Sequence, residues 1–341
     1  PSDTVYLGAI GAGGMGGADV DGISEVEGTE FVALCDVDHD RAAGTFAQFP
    51  EARQYTDYRE MIEQEASNLD AVTVSTPDHS HAPASLRAMR AGLAVRCQKP
   101  LTHTVEEARI MAETAEEEGV VTAMGIQHHS HDGLRQLREL LEAGVIGEVE
   151  EVHYTTNRPI WPQAVERSLE QYHVPETMHW DLWLGPAPHR PYHPDYAPFN
   201  WRGWYDYGTG ALGDIACHAF DGAFWSLQLD APNRITAETT PLYEESFPAV
   251  SRITYEVPSR SSAASSTVRL VWRDGNLHPA QPTDWPDERP WPPEEYNQIF
   301  VGSDGIILFG TSSYPQILPV SRHEEVMADP PEQVYERVPE S

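Results

Sequence analysis

Thr4-Val5-Tyr6-Leu7-Gly8-Ala9-Ile10 runs directly into Gly11-Ala12-Gly13-Gly14-Met15-Gly16 near the start of the chain. The first seven residues have the length and apolar content of a buried strand. Gly11, Gly13 and Gly16 then fall at the spacing GxGxxG, with Gly14 and Met15 inside the turn. The first glycine of such a turn permits a tight reversal, and the second lets a phosphate approach the backbone. The third lets the next helix pack close to the strand, and that helix's N-terminus attracts negative charge. Glycine turns are common, so the second strand decides the reading. Glu30–Val37 (Glu-Phe-Val-Ala-Leu-Cys-Asp-Val) is a second buried strand, and Asp36 closes it twenty residues past Gly16. Strand, glycine turn, helix and acid at this spacing form a dinucleotide-binding fingerprint. A carboxylate at Asp36 binds ribose hydroxyls and repels a 2′-phosphate, which selects NAD over NADP as cofactor.

Working outward, Ala71–Ser75, Leu93–Cys97 and Val120–Met124 are further short apolar strands, with helical stretches between them. Residues 104–118 open with Thr104 and Glu107, a capping-box pair, and stop at Gly119. Ala108, Met111 and Ala115 mark the buried face of that helix. Alternating β and α predicts an α/β fold, a Rossmann-type doubly wound parallel sheet over residues 1–124. Beyond 125 the pattern changes. A helix over 131–143 carries Leu134, Leu137 and Leu141, and a Trp- and Pro-rich stretch over 157–209 reads as aromatic-packed loops. Arg234–Thr240, Val250–Val257, Thr267–Trp272 and Gln298–Phe309 alternate as half-buried antiparallel strands do. Residues 125–341 are therefore expected to form an α+β domain with a mostly antiparallel open sheet, bearing substrate and subunit contacts. Residues 276–297, with six prolines, read as a loop or lid.

The charge excludes one class of partner. With 54 acidic against 22 basic residues the chain carries a net charge of −32, the opposite of what a nucleic-acid binder needs. Acids interleaved with periodic apolar positions indicate a folded protein whose surface is acidic for solubility, as in high-salt proteomes. No apolar run approaches the ~20 residues of a membrane span. Pro1 would suit a mature start after leader cleavage, so a cytoplasmic and an exported location both stay open. Cys35, Cys97 and Cys217 are odd in number and widely spaced, and read as free thiols.

Of the 22 basic residues one alone is lysine, Lys99, in Cys97-Gln98-Lys99-Pro100 just after a strand. Strand C-termini in such sheets face the cofactor crevice, where an ammonium stabilises a developing alkoxide. Asp214 and His218, four apart in Gly213–His218, share one helix face, with Asp221 close to it. A carboxylate beside an imidazole orients it and tunes it for general-base work. The same spacing also suits an N-cap aspartate with an unrelated histidine. Trp161, Trp180, Trp183, Trp201, Trp204 and Trp225 are six of the nine tryptophans. Sugars stack on such rings, with Arg158, Arg202 and Tyr207 placed to bind hydroxyls, yet at least four of the six are expected to pack the loops themselves. His128, His129 and His131 lack carboxylate or thiol partners at ligand spacing, so no metal is expected.

Taken together, the glycine turn with Leu34–Asp38, Thr76-Pro77-Asp78-His79-Ser80-His81, Gln98-Lys99-Pro100 and Asp214-x3-His218 resemble the Gfo/Idh/MocA oxidoreductases over nearly the whole chain. Asn157–Gln163 and Trp180–Pro188 resemble a branch of that family frequent in planctomycetes and Bacteroidetes. The resemblance implies that Lys99 touches nicotinamide ribose and substrate, and that Asp214 and His218 are the acid/base pair. It implies that Thr76, Pro77 and His81, with Gln98, lie along the cofactor, and that the assembly is a homo-oligomer. Position 98 is Gln where the family signature usually has Glu, and the chain stops at Ser341 where relatives usually continue into further helices. The expected activity is hydride transfer to or from a hydroxyl-bearing carbon of a sugar, inositol or related polyol. Two alternatives stay open: an NAD-dependent glycoside-cleaving enzyme with transient sugar oxidation, and a non-catalytic sugar or dinucleotide sensor.

Overall fold

The computed structural model describes residues 4–283, 285, 290–292 and 295–337. Pro1 and Ser341, and parts of the 276–297 loop, lie outside the described residues. By internal contacts the chain divides into two compact units, Pro1–Gly125 with Glu166–Gly210, and Ile126–Val165 with Ala211–Ser341. A single crossing near residue 124 was the expectation. Instead the chain leaves the first unit after Gly125, returns at Glu166 and leaves again after Gly210. The returning stretch finds its partners in the first unit: the amides of His39 and His179 donate to Thr177 and Val37 carbonyls at 3.1 and 2.8 Å.

The first unit runs β1 (Val5–Ile10), α1 (Met15–Ser24), β2 (Thr29–Cys35), α2 (His39–Gln48), β3 (Arg53–Tyr55), α3 (Tyr58–Glu65), β4 (Ala71–Val74), α4 (Asp78–Arg90), β5 (Ala94–Gln98), α5 (Val105–Glu118) and β6 (Thr122–Gly125). Its six strands lie in the order β3-β2-β1-β4-β5-β6, every pair parallel. The order reverses between β1 and β4, the place where such sheets open a ligand crevice. Two apolar layers flank the sheet, because successive strand residues face opposite sides. Leu7 and Ala9 meet Val20, Ala42 and Phe46 on one side. Ile10 joins Met61, Ile62 and Met89 on the other. Helix α5 carries the expected capping box, Thr104 with Glu107, and ends on Gly119 at φ 64°. Of its expected buried face, Met111 is buried and Ala108 and Ala115 are half-buried.

Helix α6 (Asp132–Glu142) and β7 (Val149–Thr155) follow in the second unit, and α7 (Trp180–Leu184) lies back in the first. The second unit continues with α8 (Gly210–Leu227), β8 (Arg234–Thr239), β9 (Ser251–Pro258), β10 (Ala264–Arg273), β11 (Gln298–Gly302), β12 (Ile306–Phe309), β13 (Gln316–Leu318) and α9 (Val320–Ala328). Among the described residues its seven strands form one sheet, β13-β12-β11-β7-β10-β9-β8. All neighbours are antiparallel except β7 and β10. Leu134, Leu137, Leu140 and Leu141 of α6 pack with Ala223 and Leu227 of α8 on Val152, Leu270 and Phe300 of the sheet. Two strand expectations change. Gln298–Phe309 is a hairpin, with Ser303–Gly305 turning between β11 and β12, and β8 is exposed at all six positions where half-burial was expected. As the sheet's edge strand, β8 has a neighbour on one side alone. No helix among the described residues is long and apolar enough to cross a membrane.

Candidate functional site

The glycine turn between β1 and α1 is built to exclude side chains. Gly11 sits at φ +83°, and a Cβ on it would lie 2.6 Å from the Ser75 carbonyl oxygen at the end of β4. A Cβ on Gly16 would strike the Gly11 carbonyl, and one on Gly13 would meet Arg41 Cγ at 2.7 Å. Gly14, at φ +60°, caps α1 with no side-chain hydrogen bond to the helix's first amides. Helix-terminal N–H groups left uncapped by side chains, over a backbone bare of Cβ atoms, match the needs of a diphosphate.

Asp36 follows β2 and grips this turn. Its Oδ2 accepts from the amides of Ala12 and Gly13, each at 2.9 Å, and its Oδ1 accepts from the Asp38 amide at 2.9 Å. Burial pushes the Asp36 carboxyl above the ordinary carboxylate value, and the three amide bonds oppose that rise. Oδ1, with one amide bond, keeps the capacity to accept from a diol.

Around the ends of β4 and β5 the expected residues separate into two kinds. Thr76, Pro77 and Lys99 are half-buried. His81 and Gln98 are buried, 1% and 4% exposed. Lining the cofactor is therefore not what the His81 ring does as packed: its Nδ1 faces the Pro100 carbonyl and its Nε2 the Thr76 carbonyl, both at 2.7 Å. It ties the two loops together. A neutral imidazole has one N–H for two carbonyls, whereas an imidazolium satisfies both. Burial opposes that charge, but the Cys97 thiol, the Asp78 carboxyl and the Pro100 carbonyl outweigh it, and the pKa is pushed up to about 9. His79, two residues earlier, behaves oppositely: its ring nitrogens also face two carbonyls, Tyr207 at 3.2 Å and Trp183 at 2.9 Å, but burial outweighs them, the charges of His103 and His81 add to it, and the pKa is lowered to about 4.

Sequence reasoning missed two residues here. Arg41, in the first turn of α2, lies against Gly13 and Gly14. Asp19 of α1 is buried and accepts from Ser75 Oγ at 2.6 Å and from Gln98 Nε2 at 2.9 and 3.0 Å. Arg41 carried a signal, since it opens the helix that comes after Asp36. Asp19 carried none, because an acid inside a helix is ordinarily a solvated one.

Four of the six tryptophans pack the returning stretch, as expected. Trp180, Trp183, Trp201 and Trp204 form one buried cluster with Tyr196 and Tyr207. Tyr207 was a candidate for binding hydroxyls, but it is 0% exposed, its ring against Trp183 and Tyr196. Trp161 likewise is buried, and its indole N–H donates to Gln163 Oε1 at 2.7 Å, so its ring is core. Arg202 lays its guanidinium over Phe199 and Trp201, at 4.7 and 4.2 Å from the ring centres. Arg158 is half-buried and donates to Asn157 Oδ1 at 2.7 Å.

Helix α8 begins at Gly210, which puts Asp214 in its second turn and not at its cap. Asp214 is 6% exposed, and His218 one turn later lies edge-on to His128 with ring centres 6.1 Å apart. Asp221 pairs with His129, whose Nδ1 is 2.8 Å from Oδ2. Trp225 is covered by Arg138, 4.4 Å from its ring centre, and by the Tyr335 ring. Among the described residues no three His, Cys, Asp or Glu side chains converge as a metal ion would require.

A six-stranded parallel sheet with a glycine turn at its order reversal, and an acid closing the second strand, defines a dinucleotide-binding protein. Comparison with known families makes this specific. Residues 5–126 match the oxidoreductase-family NAD-binding Rossmann model, and residues 133–261 match the same family's C-terminal alpha/beta domain. The chain belongs to the Gfo/Idh/MocA oxidoreductase family. Among curated proteins it is 31% identical over 185 residues to inositol 2-dehydrogenase 3 of Saccharopolyspora erythraea, covering 52% of this chain and 54% of that one. It is 28% identical over 188 residues to inositol 2-dehydrogenase of Salmonella paratyphi B, covering 52% and 55%. The matched stretch thus spans about half the length of these curated relatives. Among solved structures, the WlbA dehydrogenase from Chromobactrium violaceum, in complex with NADH and UDP-GlcNAcA, overlays with a TM-score of 0.65 at 16% identity, covering 96% of this chain and 81% of that one.

Proposed function

We propose that this protein is an NAD-dependent oxidoreductase that moves a hydride to or from a hydroxyl-bearing carbon of a polyol or sugar. An inositol-like ring is the first substrate to try, given the relatives named inositol 2-dehydrogenase. The observation that carries the reading is the Asp36 carboxylate locked onto the glycine turn at the sheet's order reversal. It fits a dinucleotide whose adenosine ribose has a free 2′-hydroxyl, and it opposes a 2′-phosphate.

Gly11, Gly13, Gly14, Met15 and Gly16 would hold the diphosphate, and Asp36 the ribose diol. Thr76, Pro77 and the Gln98-Lys99 segment would border the nicotinamide half. NAD held there would supply the hydride acceptor, and NADH the donor, for the substrate carbon. Lys99 donates to the substrate oxygen and stabilises the alkoxide as its proton leaves. The family resemblance gives His218 the role of proton acceptor, with Asp214 orienting the imidazole or a neighbouring hydroxyl. Arg158 and Arg202 remain candidates for substrate hydroxyls. The family branch suggested by Asn157–Gln163 and Trp180–Pro188 belongs to the same reading, as does assembly into a homo-oligomer.

The test is NADH formation across a panel of inositols and aldoses, with NADP as the control cofactor. A polyol-dependent rate with NAD that exceeds the NADP rate is expected. A rate with NADP equal to that with NAD contradicts the role given to Asp36.

A further inference from the structure

Asp19 sits at the meeting point of three elements that shape the cofactor end of the first unit. It projects from α1, directly after the glycine turn. One carboxylate oxygen accepts from Ser75 Oγ at 2.6 Å, where β4 ends and where the Ser75 carbonyl crowds Gly11. Both oxygens accept from Gln98 Nε2, at 2.9 and 3.0 Å, where β5 ends. The other end of the same amide, Gln98 Oε1, accepts from the Lys99 main-chain N–H at 3.2 Å. A backbone group of the chain's one lysine is thereby connected through a single side chain to a buried carboxylate on α1.

We infer that Asp19 and Gln98 form a carboxylate–amide pair that fixes the Lys99 backbone against the glycine turn, with Asp19 as a positioning residue. The inference rests on the proposed role of Lys99. The polarity of the pair is set by chemistry. Asp19 offers acceptors only, so its partner must present a donor toward it and an acceptor toward the Lys99 amide, which an amide does and a carboxylate cannot. That requirement accounts for Gln at position 98. Arg96 of β5 lies within ion-pair distance of Asp19, at 3.1 Å. Of the elements beside α1, α2 turns Arg41 onto the glycine turn and Thr45 Oγ1 onto the Ala12 carbonyl, and β4 presents Ser75. Lys99 itself follows Gln98 in the chain.

The experiment compares native protein with Q98E, D19N and the exchanged double variant D19N/Q98E. NADH affinity, thermal midpoint and polyol turnover are read at about pH 5 and about pH 8. Q98E puts a second carboxyl where an amide donated, and repulsion between the two carboxylates raises the pH at which one of them takes a proton. At the higher pH, Q98E is expected to bind NADH about tenfold more weakly, and to regain affinity and thermal midpoint as the pH falls and one carboxyl takes a proton. D19N/Q98E restores one carboxylate facing one amide, and is expected to recover most of the lost affinity with a flatter pH profile. Q98E equal to native at both pH values overturns the inference, as does a double variant no better than Q98E. NADH binding and thermal midpoint need no substrate, so they judge the pair even if the polyol reading fails. Turnover judges that reading separately.

Discussion

Burial alone would strip His81 of its proton, yet two main-chain carbonyls at 2.7 Å demand two N–H groups from its ring. Because its folded pKa is about 9, against about 6.5 in an unfolded chain, the charge contributes stability that is fully present below pH 6.5. That stability is lost as the pH rises through 9. H81Q should therefore be less stable than native at pH 6, with the gap in thermal midpoint narrowing by about pH 9.5. A gap that stays constant or widens with pH would show that His81 is neutral. His79 has the opposite sign, since its folded pKa is about 4. Its stability is present above the unfolded value and lost as the pH falls through 4. Asp36, Lys99 and the glycines were legible in the sequence as candidates, because each sits at a motif position with its own chemistry. Tyr207, Trp161 and His81 were legible as candidates too, but their burial was not, because no periodic pattern marks what their rings pack against. The sequence could not mark Asp19, whose partners are 56 and 79 residues away.

Among the elements, those with regular patterns and clear stops were legible: β1, β2, β4, β5, α5 and α6 lie where periodicity and caps put them. Short β3 and β13 hold three residues each and have no period to detect. In β7 the alternation is interrupted by Glu150 and Glu151. The glycine turn makes the sharpest element-scale prediction. G11A asks for a side chain at φ +83°, 2.6 Å from the Ser75 carbonyl. It should raise the NADH dissociation constant by at least about tenfold while the far-ultraviolet circular dichroism stays native. Native affinity in G11A would contradict the close packing of β1 against β4. At the start of α5, T104A removes the side chain that accepts from the Glu107 amide. A loss of about 1 kcal/mol in denaturant unfolding is expected, and no loss would mean the capping box contributes nothing.

For the whole molecule, the net charge of −32 acts on folding through self-repulsion, which added salt screens. The thermal midpoint should rise from low salt to molar sodium chloride, and a midpoint indifferent to salt would contradict a destabilising self-repulsion of the acidic charge. The change from alternating β/α to antiparallel strands near residue 125 was legible in the sequence. The return of residues 166–210 to the first unit was not, because aromatic loop residues carry no periodic sign of what they pack against. Hydride transfer assisted by Lys99 can be followed with an isotope. With an inositol or sugar deuterated at each carbinol carbon in turn, native protein should deliver deuterium to the nicotinamide of NAD from one position. K99M should lose roughly 10²- to 10³-fold in that rate while binding NADH and melting as native does. Deuterium arriving at the same rate with K99M, or none arriving from any substrate that native protein binds, would contradict the account.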